Sequence, residues 1–169
     1  DGYVVLLVSP RAELDQRVPR DIVFVLDKSG SMMHEKKMEQ AKQALRHCLG
    51  ELSPQDRFGL IDFATTVNRY RDQLMPATDG QIKHAKGWVA DQYAGGGTAI
   101  HEALTAALEM RPDDSDRMFT VVFFTDGQPT IGETNTDKIL ADITNKNTAN
   151  TRIFTLGVGN NLNAVFMDQ

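Results

Sequence analysis

Apolar residues in this chain occur in two kinds of stretch, short continuous runs and longer segments with helical spacing, and the two kinds alternate. The continuous runs, typical of strands covered on both faces, lie at residues 22–26, 57–63, 118–125 and 152–158. The segments with apolar positions three and four apart, typical of amphipathic helices, lie at residues 36–52, 79–89, 100–110 and 136–145. This alternation predicts an α/β fold, a doubly wound, mostly parallel sheet with helices on both faces.

Two further segments depart from the alternation. Residues 67–71 follow the strand at 57–63 after a short T-T turn, so we expect them to run antiparallel at an edge of the sheet. Residues 3–8 form an apolar run that stops at a Ser-Pro pair, with a polar stretch up to residue 20. We therefore expect residues 1–20 to be a lead-in strand and linker from a preceding domain, and residues 21–169 to be the α/β domain.

Composition and charge narrow the classes of partner. The chain has 169 residues, 41% hydrophobic and 24% charged, which fits one globular domain. Its formal net charge is -5, so no broad basic field favours nucleic acid. No apolar run reaches the roughly 20 residues of a membrane span, so direct membrane insertion is not expected. Cys48 lies in a helical pattern and is interpreted as a structural thiol.

Acidic and hydroxyl side chains follow the predicted central strands. Asp27, Ser29 and Ser31 come after one strand and Asp126 after another, while Thr98 follows three glycines and precedes a helix. Because ligands of doubly wound sheets bind beyond the carboxyl ends of the strands, we expect these five side chains to converge at one edge.

Two carboxylates and three hydroxyls form an all-oxygen donor set. Such a set suits a hard divalent cation, chiefly Mg²⁺ with Mn²⁺ or Ca²⁺ as substitutes. The two acids at most neutralise a doubly charged ion, which then remains able to accept one oxygen from a partner's Asp or Glu. The set therefore predicts a recognition site for an acidic protein ligand.

Three motifs resemble one family. D-K-S-G-S at residues 27–31, G-G-G-T at 95–98 and F-T-D-G at 124–127 are similar to the metal-ion-dependent adhesion site (MIDAS) of von Willebrand factor A domains. The resemblance implies a noncatalytic protein-binding domain. It also implies that Ser29 and Ser31 coordinate directly, Asp27 and Asp126 directly or through water, and Thr98 directly or indirectly.

Two further segments resemble a subgroup of that family. R-F-G-L-I-D-F and T-D-G-Q-P-T-I-G-E are similar to the inter-alpha-trypsin inhibitor heavy chains and their bacterial relatives. This resemblance implies a larger multidomain protein that is secreted or lies in the cell envelope or on the cell surface. It also implies a further helix and strand after residue 158, so we expect the domain to be truncated at its C-terminus.

Other interpretations of these residues stay open. Single acids commonly cap helices and turns, and Ser31 and Thr98 are candidate N-caps of the helices that follow them. A Mg²⁺-dependent aspartyl-phosphate enzyme would also place Asp27 at a strand end, although Ser29 stands where such enzymes need a second acid. A third possibility is a structural domain whose ion ties the loops together. The triple glycine lacks the lysine and spacing of a phosphate-binding loop.

Several polar residues are predicted to lie outside the site. We expect His101 to be a solvated helix residue, and His34, His47 and His84 to lie on the surface. Asp62, inside an apolar strand, is predicted to hydrogen-bond a neighbouring loop. Lys28 is predicted to point away from the cation, since a like charge aimed at it would be destabilising.

Overall fold

The computed structural model describes residues 18–113, 116–149 and 151–158. Within them the strands are β1 (Arg20–Asp27), β2 (Arg57–Phe63), β3 (Val67–Arg69), β4 (Met75–Pro76), β5 (Met118–Thr125) and β6 (Arg152–Gly157). The helices are α1 (Lys37–Gly50), α2 (Asp79–Ala90), α3 (Ile100–Leu108) and α4 (Thr136–Lys146), and a 3-10 turn spans Gly30–Met33. The predicted strand at 3–8 and the tail at 159–169 lie outside these residues.

The described strands form one sheet in the order β3-β2-β1-β5-β6, with β4 also paired to β2. β1 is parallel to both β2 and β5, and β5 is parallel to β6. β3 and β4 are both antiparallel to β2. The predicted fold class is therefore confirmed, and the structure adds β4, whose two residues, one of them proline, are too few for a strand pattern.

Alternate residues of β1 build separate cores on the two faces of the sheet. Phe24 and Leu26 pack with apolar residues of α1 and α2 on one face. Val23 and Val25 pack with α3 and α4 on the other. A strand covered on both faces has no polar face, which explains the continuous apolar run. The same strand places Asp27, at its end, at the carboxyl edge of the sheet, here called the rim.

Two bidentate ion pairs hold the opposite edge, where β1 and β2 begin. The Arg20 guanidinium donates to both oxygens of Asp56, and the Arg57 guanidinium does the same to Asp21. Asp56 also accepts from the Ser53 and Arg20 backbone N–H groups, each at 2.9 Å. Burial opposes ionisation of Asp56, but these hydrogen bonds outweigh it and hold the pKa of that carboxyl below its usual value.

No helix in the described part of the chain combines the length and apolar character that a bilayer crossing requires.

Replacing Asp56 with asparagine should destabilise the fold at this basal edge. Asp56→Asn removes the charge that Arg20 pairs with, and we expect the free energy of unfolding to fall by about 1–3 kcal/mol. Because the folded pKa of Asp56 is lowered, its stabilisation is full above the unfolded pKa and is lost as the pH falls through the folded value. Urea unfolding from pH 7 down to pH 3 should therefore show the difference between wild type and variant shrinking.

The matched control is Asp72→Asn, the same charge change at an exposed position. It should leave unfolding near neutral pH unchanged within about 0.5 kcal/mol. Equal effects of the two substitutions would show that Asp56 contributes only through net charge.

Candidate metal centre

Asp27, the last residue of β1, is fully buried and held at both carboxylate oxygens. Its Oδ1 accepts from the Ser29 backbone N–H at 2.7 Å, and its Oδ2 accepts from Thr125 Oγ1 at 2.6 Å. Burial raises the pKa of Asp27, while hydrogen bonds from Ser29 and Thr125 lower it and the negative charge of Asp126 adds to the rise. The ionised carboxylate therefore lacks full compensation from the protein alone.

A chain of hydroxyl groups joins Asp27's loop to Asp126. The 3-10 turn after Ser29 brings Ser31 back toward the strand ends, with the two Oγ atoms 3.0 Å apart. Ser31 Oγ donates to Asp126 Oδ1 at 2.7 Å. Four of the five predicted residues are thus joined in one chain of hydrogen bonds, although Asp27 and Asp126 are 99 positions apart in the sequence.

Thr98 reaches this edge through its backbone. Its N–H donates to Thr130 Oγ1 at 2.8 Å, and its carbonyl accepts from the Thr130 N–H at 3.0 Å. The preceding glycines join the first loop, with Gly30 N–H donating to Gly96 O at 2.9 Å and Gly95 N–H to Lys28 O at 2.7 Å. The three loops therefore meet at the carboxyl edge, as the sequence predicted.

Lys37, the first residue of α1, also contacts the site, although no sequence pattern predicts this. Its Nζ lies 2.9 Å from Asp126 Oδ2, and both side chains are largely buried. The lysine is positioned by a turn in which Lys37 N–H donates to His34 O, with positive φ at Glu35 and Lys36. Neither residue type signals such a turn, so the sequence offers no clue to this contact.

Thr125 was also missed as a functional residue. It is fully buried, donates to Asp27, and accepts from Gly127 N–H at 3.2 Å. A hydroxyl residue directly before the acid, where the apolar run of Val121 to Phe124 ends, is a signal that could have identified it.

The prediction that Asp62 contacts a neighbouring loop is confirmed, and Lys28 is the loop residue that it meets. Lys28 Nζ lies 2.7 Å from Asp62 Oδ1, which also accepts from Asn68 Nδ2 at 2.9 Å. The charge of Lys28 is therefore paired with an acid of β2, and its orientation relative to a cation stays a prediction.

Some interpretations are corrected by the structure. His101 is half-buried rather than solvated, because α4 packs beside α3 and places Asp142 Oδ2 3.6 Å from His101 Nε2. Ser31 lies in the 3-10 turn and Lys36 occupies the N-cap position of α1, while Ala99 rather than Thr98 occupies that of α3. His34, His47 and His84 are exposed, as predicted.

The donor set fits a hard cation. Carboxylate and hydroxyl oxygens surround the junction of the loops, and the described residues contain no cluster of three or more His, Cys, Asp or Glu side chains arranged to hold a metal. The chemistry is therefore that of an oxygen-lined site in which hydroxyls supplement two acids.

A mostly parallel sheet between layers of helices, with hydroxyls and two acids at its carboxyl edge, defines the class of domain to which the chain belongs. The chain matches the von Willebrand factor type A domain over residues 21–169 and belongs to that family.

Within curated proteins the chain is similar to inter-alpha-trypsin inhibitor heavy chains. Heavy chain H4 of Homo sapiens is 32% identical over 176 residues, which cover 100% of this chain and 19% of that protein. Heavy chain H2 of Mesocricetus auratus is 35% identical over 166 residues, which cover 94% of this chain and 17% of that protein. The chain thus spans about a fifth of the length of these relatives.

Solved structures show the same fold. The von Willebrand factor type A protein from Catenulispora acidiphila has a TM-score of 0.79 at 23% identity, covering 89% of this chain and 35% of that one. A structure of proximal thread matrix protein 1 from the mussel byssus, with a zinc-occupied MIDAS motif, is also similar. It has a TM-score of 0.69 at 16% identity and covers 89% of this chain and 41% of that one.

Gly96→Ala should weaken the loop junction. Gly96 has φ +89°, and a Cβ there would lie 2.8 Å from Thr65 Oγ1. We expect the substitution to lower the free energy of unfolding by about 1–3 kcal/mol, because it combines a left-handed backbone with a close contact.

Gly95→Ala provides the control in the same loop, since a Cβ there meets nothing within 4 Å. Chemical unfolding of both variants should show Gly95→Ala within about 0.5 kcal/mol of wild type. Two variants of equal stability would contradict the close packing of the loops.

Proposed function

We propose that this domain is a noncatalytic, cation-dependent module that binds proteins through an acidic side chain of the partner. The observation that carries the proposal is the hydrogen-bonded chain from Asp27 through Ser29 and Ser31 to Asp126, which gathers two buried acids and two hydroxyls at one edge. Membership of the von Willebrand factor A family supports it.

We assign the cation ligands to Asp27, Ser29, Ser31, Thr98 and Asp126, directly or through water. Mg²⁺ is the proposed cation, with Mn²⁺ or Ca²⁺ as substitutes, because the donors are all hard oxygens. A divalent ion bound there would supply electrostatic attraction for a partner's carboxylate. The chain's own residues orient the donors: Thr125 fixes Asp27, and Ser31 and Lys37 fix the two oxygens of Asp126.

The relatives support a proposal about the wider protein and its location. Since inter-alpha-trypsin inhibitor heavy chains are about five times as long as this chain, we infer that the domain belongs to a larger multidomain protein. The solved structures of similar fold include a pilus adhesin from Lactobacillus rhamnosus GG, with a TM-score of 0.71 at 17% identity over 83% of this chain. A secreted or surface location is therefore the one we propose.

Asp27→Asn should abolish cation binding. Calorimetric titration with Mn²⁺ or Mg²⁺ should show a loss of affinity of at least about 100-fold, since even outer partners of metal ligands contribute 10- to 100-fold. Thr125→Val removes such an outer partner of Asp27, so its loss of cation affinity should lie between about 10-fold and 100-fold.

Asp91→Asn, at an exposed position after α2, is the control and should bind as wild type does. Retention of full Mn²⁺ affinity by Asp27→Asn would exclude Asp27 as a ligand, while failure of the wild type to bind Mg²⁺, Mn²⁺ or Ca²⁺ would overturn the cation-dependent proposal itself.

Cation-dependent capture of acidic peptides should reveal the recognition chemistry. An array of peptides with one central Asp or Glu, each matched with its Asn or Gln counterpart, should retain the domain in Mg²⁺ and release it in EDTA. Binding that is equal for acid and amide peptides would favour an ion that only ties the loops together. If the wild type hydrolyses a phosphoester such as para-nitrophenyl phosphate and Asp27→Asn does not, the enzyme alternative would be favoured.

A further inference from the structure

We propose that Lys37 is a fixed counter-charge of the cation site, which weakens cation binding, disfavours Ca²⁺ and strengthens attraction for an acidic ligand. The inference rests on the proposed function. Its starting point is the 2.9 Å contact between Lys37 Nζ and Asp126 Oδ2, in which 12% of the lysine side chain and 1% of the aspartate side chain are exposed. A pair removed from water to this extent is little screened by salt.

The charge balance gives the first consequence. Asp27 and Asp126 carry two negative charges, and Lys37 reduces their sum to one. A divalent ion would then leave these three side chains and the ion with a net charge of +1, where the two acids alone would leave zero. Lys37 therefore opposes entry of the cation but leaves the loaded site attractive to a carboxylate.

Lys28 does not alter this balance. Lys28 lies in the loop directly after β1, and its Nζ is 2.7 Å from Asp62 Oδ1 on β2. Lys28 and Asp62 compensate each other, so the charge that bears on Asp126 is that of Lys37.

The division of Asp126 between two partners gives the second consequence. Ser31 Oγ donates to Oδ1 and Lys37 Nζ binds Oδ2, so one oxygen faces the hydroxyl chain and the other faces α1. This arrangement favours coordination through a single oxygen. Ca²⁺ takes six to eight ligands and often binds carboxylates through both oxygens, whereas Mg²⁺ needs a compact octahedral shell. Lys37 should therefore select against Ca²⁺.

The turn before α1 keeps the lysine in place. Glu35 and Lys36 have φ values of 53° and 58°, and Lys37 N–H donates to His34 O at 3.0 Å. Positive φ at two successive residues other than glycine is costly, so the surrounding contacts must maintain the turn. The site therefore includes a local backbone conformation that delivers a cationic side chain to Asp126.

Lys37→Met tests the inference, because methionine keeps an apolar stem and removes the charge. Calorimetry with Mg²⁺ and with Ca²⁺ should show tighter binding of both, by between about 5-fold and 100-fold, with the larger gain for Ca²⁺. An acidic peptide retained by the array should bind the Mg²⁺-loaded variant more weakly than the wild type.

A second readout does not depend on any peptide. Without a cation, Lys37→Met leaves the buried Asp126 carboxylate without its charged partner, so the variant should melt below the wild type. Saturating Mn²⁺ should then raise its melting temperature by more than it raises that of the wild type. If Lys37→Met does not fold, Lys37→Gln, which retains a hydrogen-bond donor, takes its place in both measurements.

Lys83→Met on α2 is the charge control, at an exposed position, and should leave both cation affinities unchanged within about twofold. If the wild type binds Mg²⁺ and Lys37→Met binds Mg²⁺ and Ca²⁺ as the wild type does, or less tightly, the counter-charge role is wrong while the cation site stands. If the wild type binds no cation, the proposed function fails first.

Discussion

The parallel pairing of β1 with β5 is the interaction on which the site depends. Their hydrogen-bonded register sets Leu26 beside Phe124, so the next residues of each strand emerge together at the rim. That alignment allows Thr125 to reach Asp27, and it places Asp126 within reach of Ser31. Because both strands are buried between helices, neither can slide without exposing its apolar residues, and packing therefore fixes the distance between the acids.

Acidic side chains at the two ends of the sheet have different kinds of hydrogen-bond partner. At the base, Asp21 and Asp56 each face an arginine guanidinium that occupies both oxygens. At the rim, Asp27 accepts hydrogen bonds from a backbone N–H and a hydroxyl group, neither of which carries a full charge. The basal acids are neutralised by arginines of the protein itself and so stabilise the fold without any ion. The rim retains an excess of negative charge, which favours a cation.

The sequence was sufficient for the helices, for every described strand except β4, and for bringing Asp27, Ser29, Ser31 and Asp126 to one edge, because these features depend on local spacing and on where an apolar run ends. It was insufficient where distant segments meet. Lys37 contacts Asp126 across 89 positions, after a turn whose Glu35 and Lys36 are poor indicators of positive φ. Helical spacing predicts a solvated His101, because the packing of α4 beside α3 is a tertiary contact that such spacing does not reveal.

The loop that carries Thr98 is attached to its neighbours by main-chain groups, through the bonds of Gly95 to Lys28 and of Gly30 to Gly96. Tyr93, just before it, is 82% exposed. Substitution of such an exposed side chain leaves the main-chain bonds that join the loops, and with them the positions of the acids, intact. The surface of this loop and the frame that orients the acids are thereby separable, so the one can vary while the other is kept.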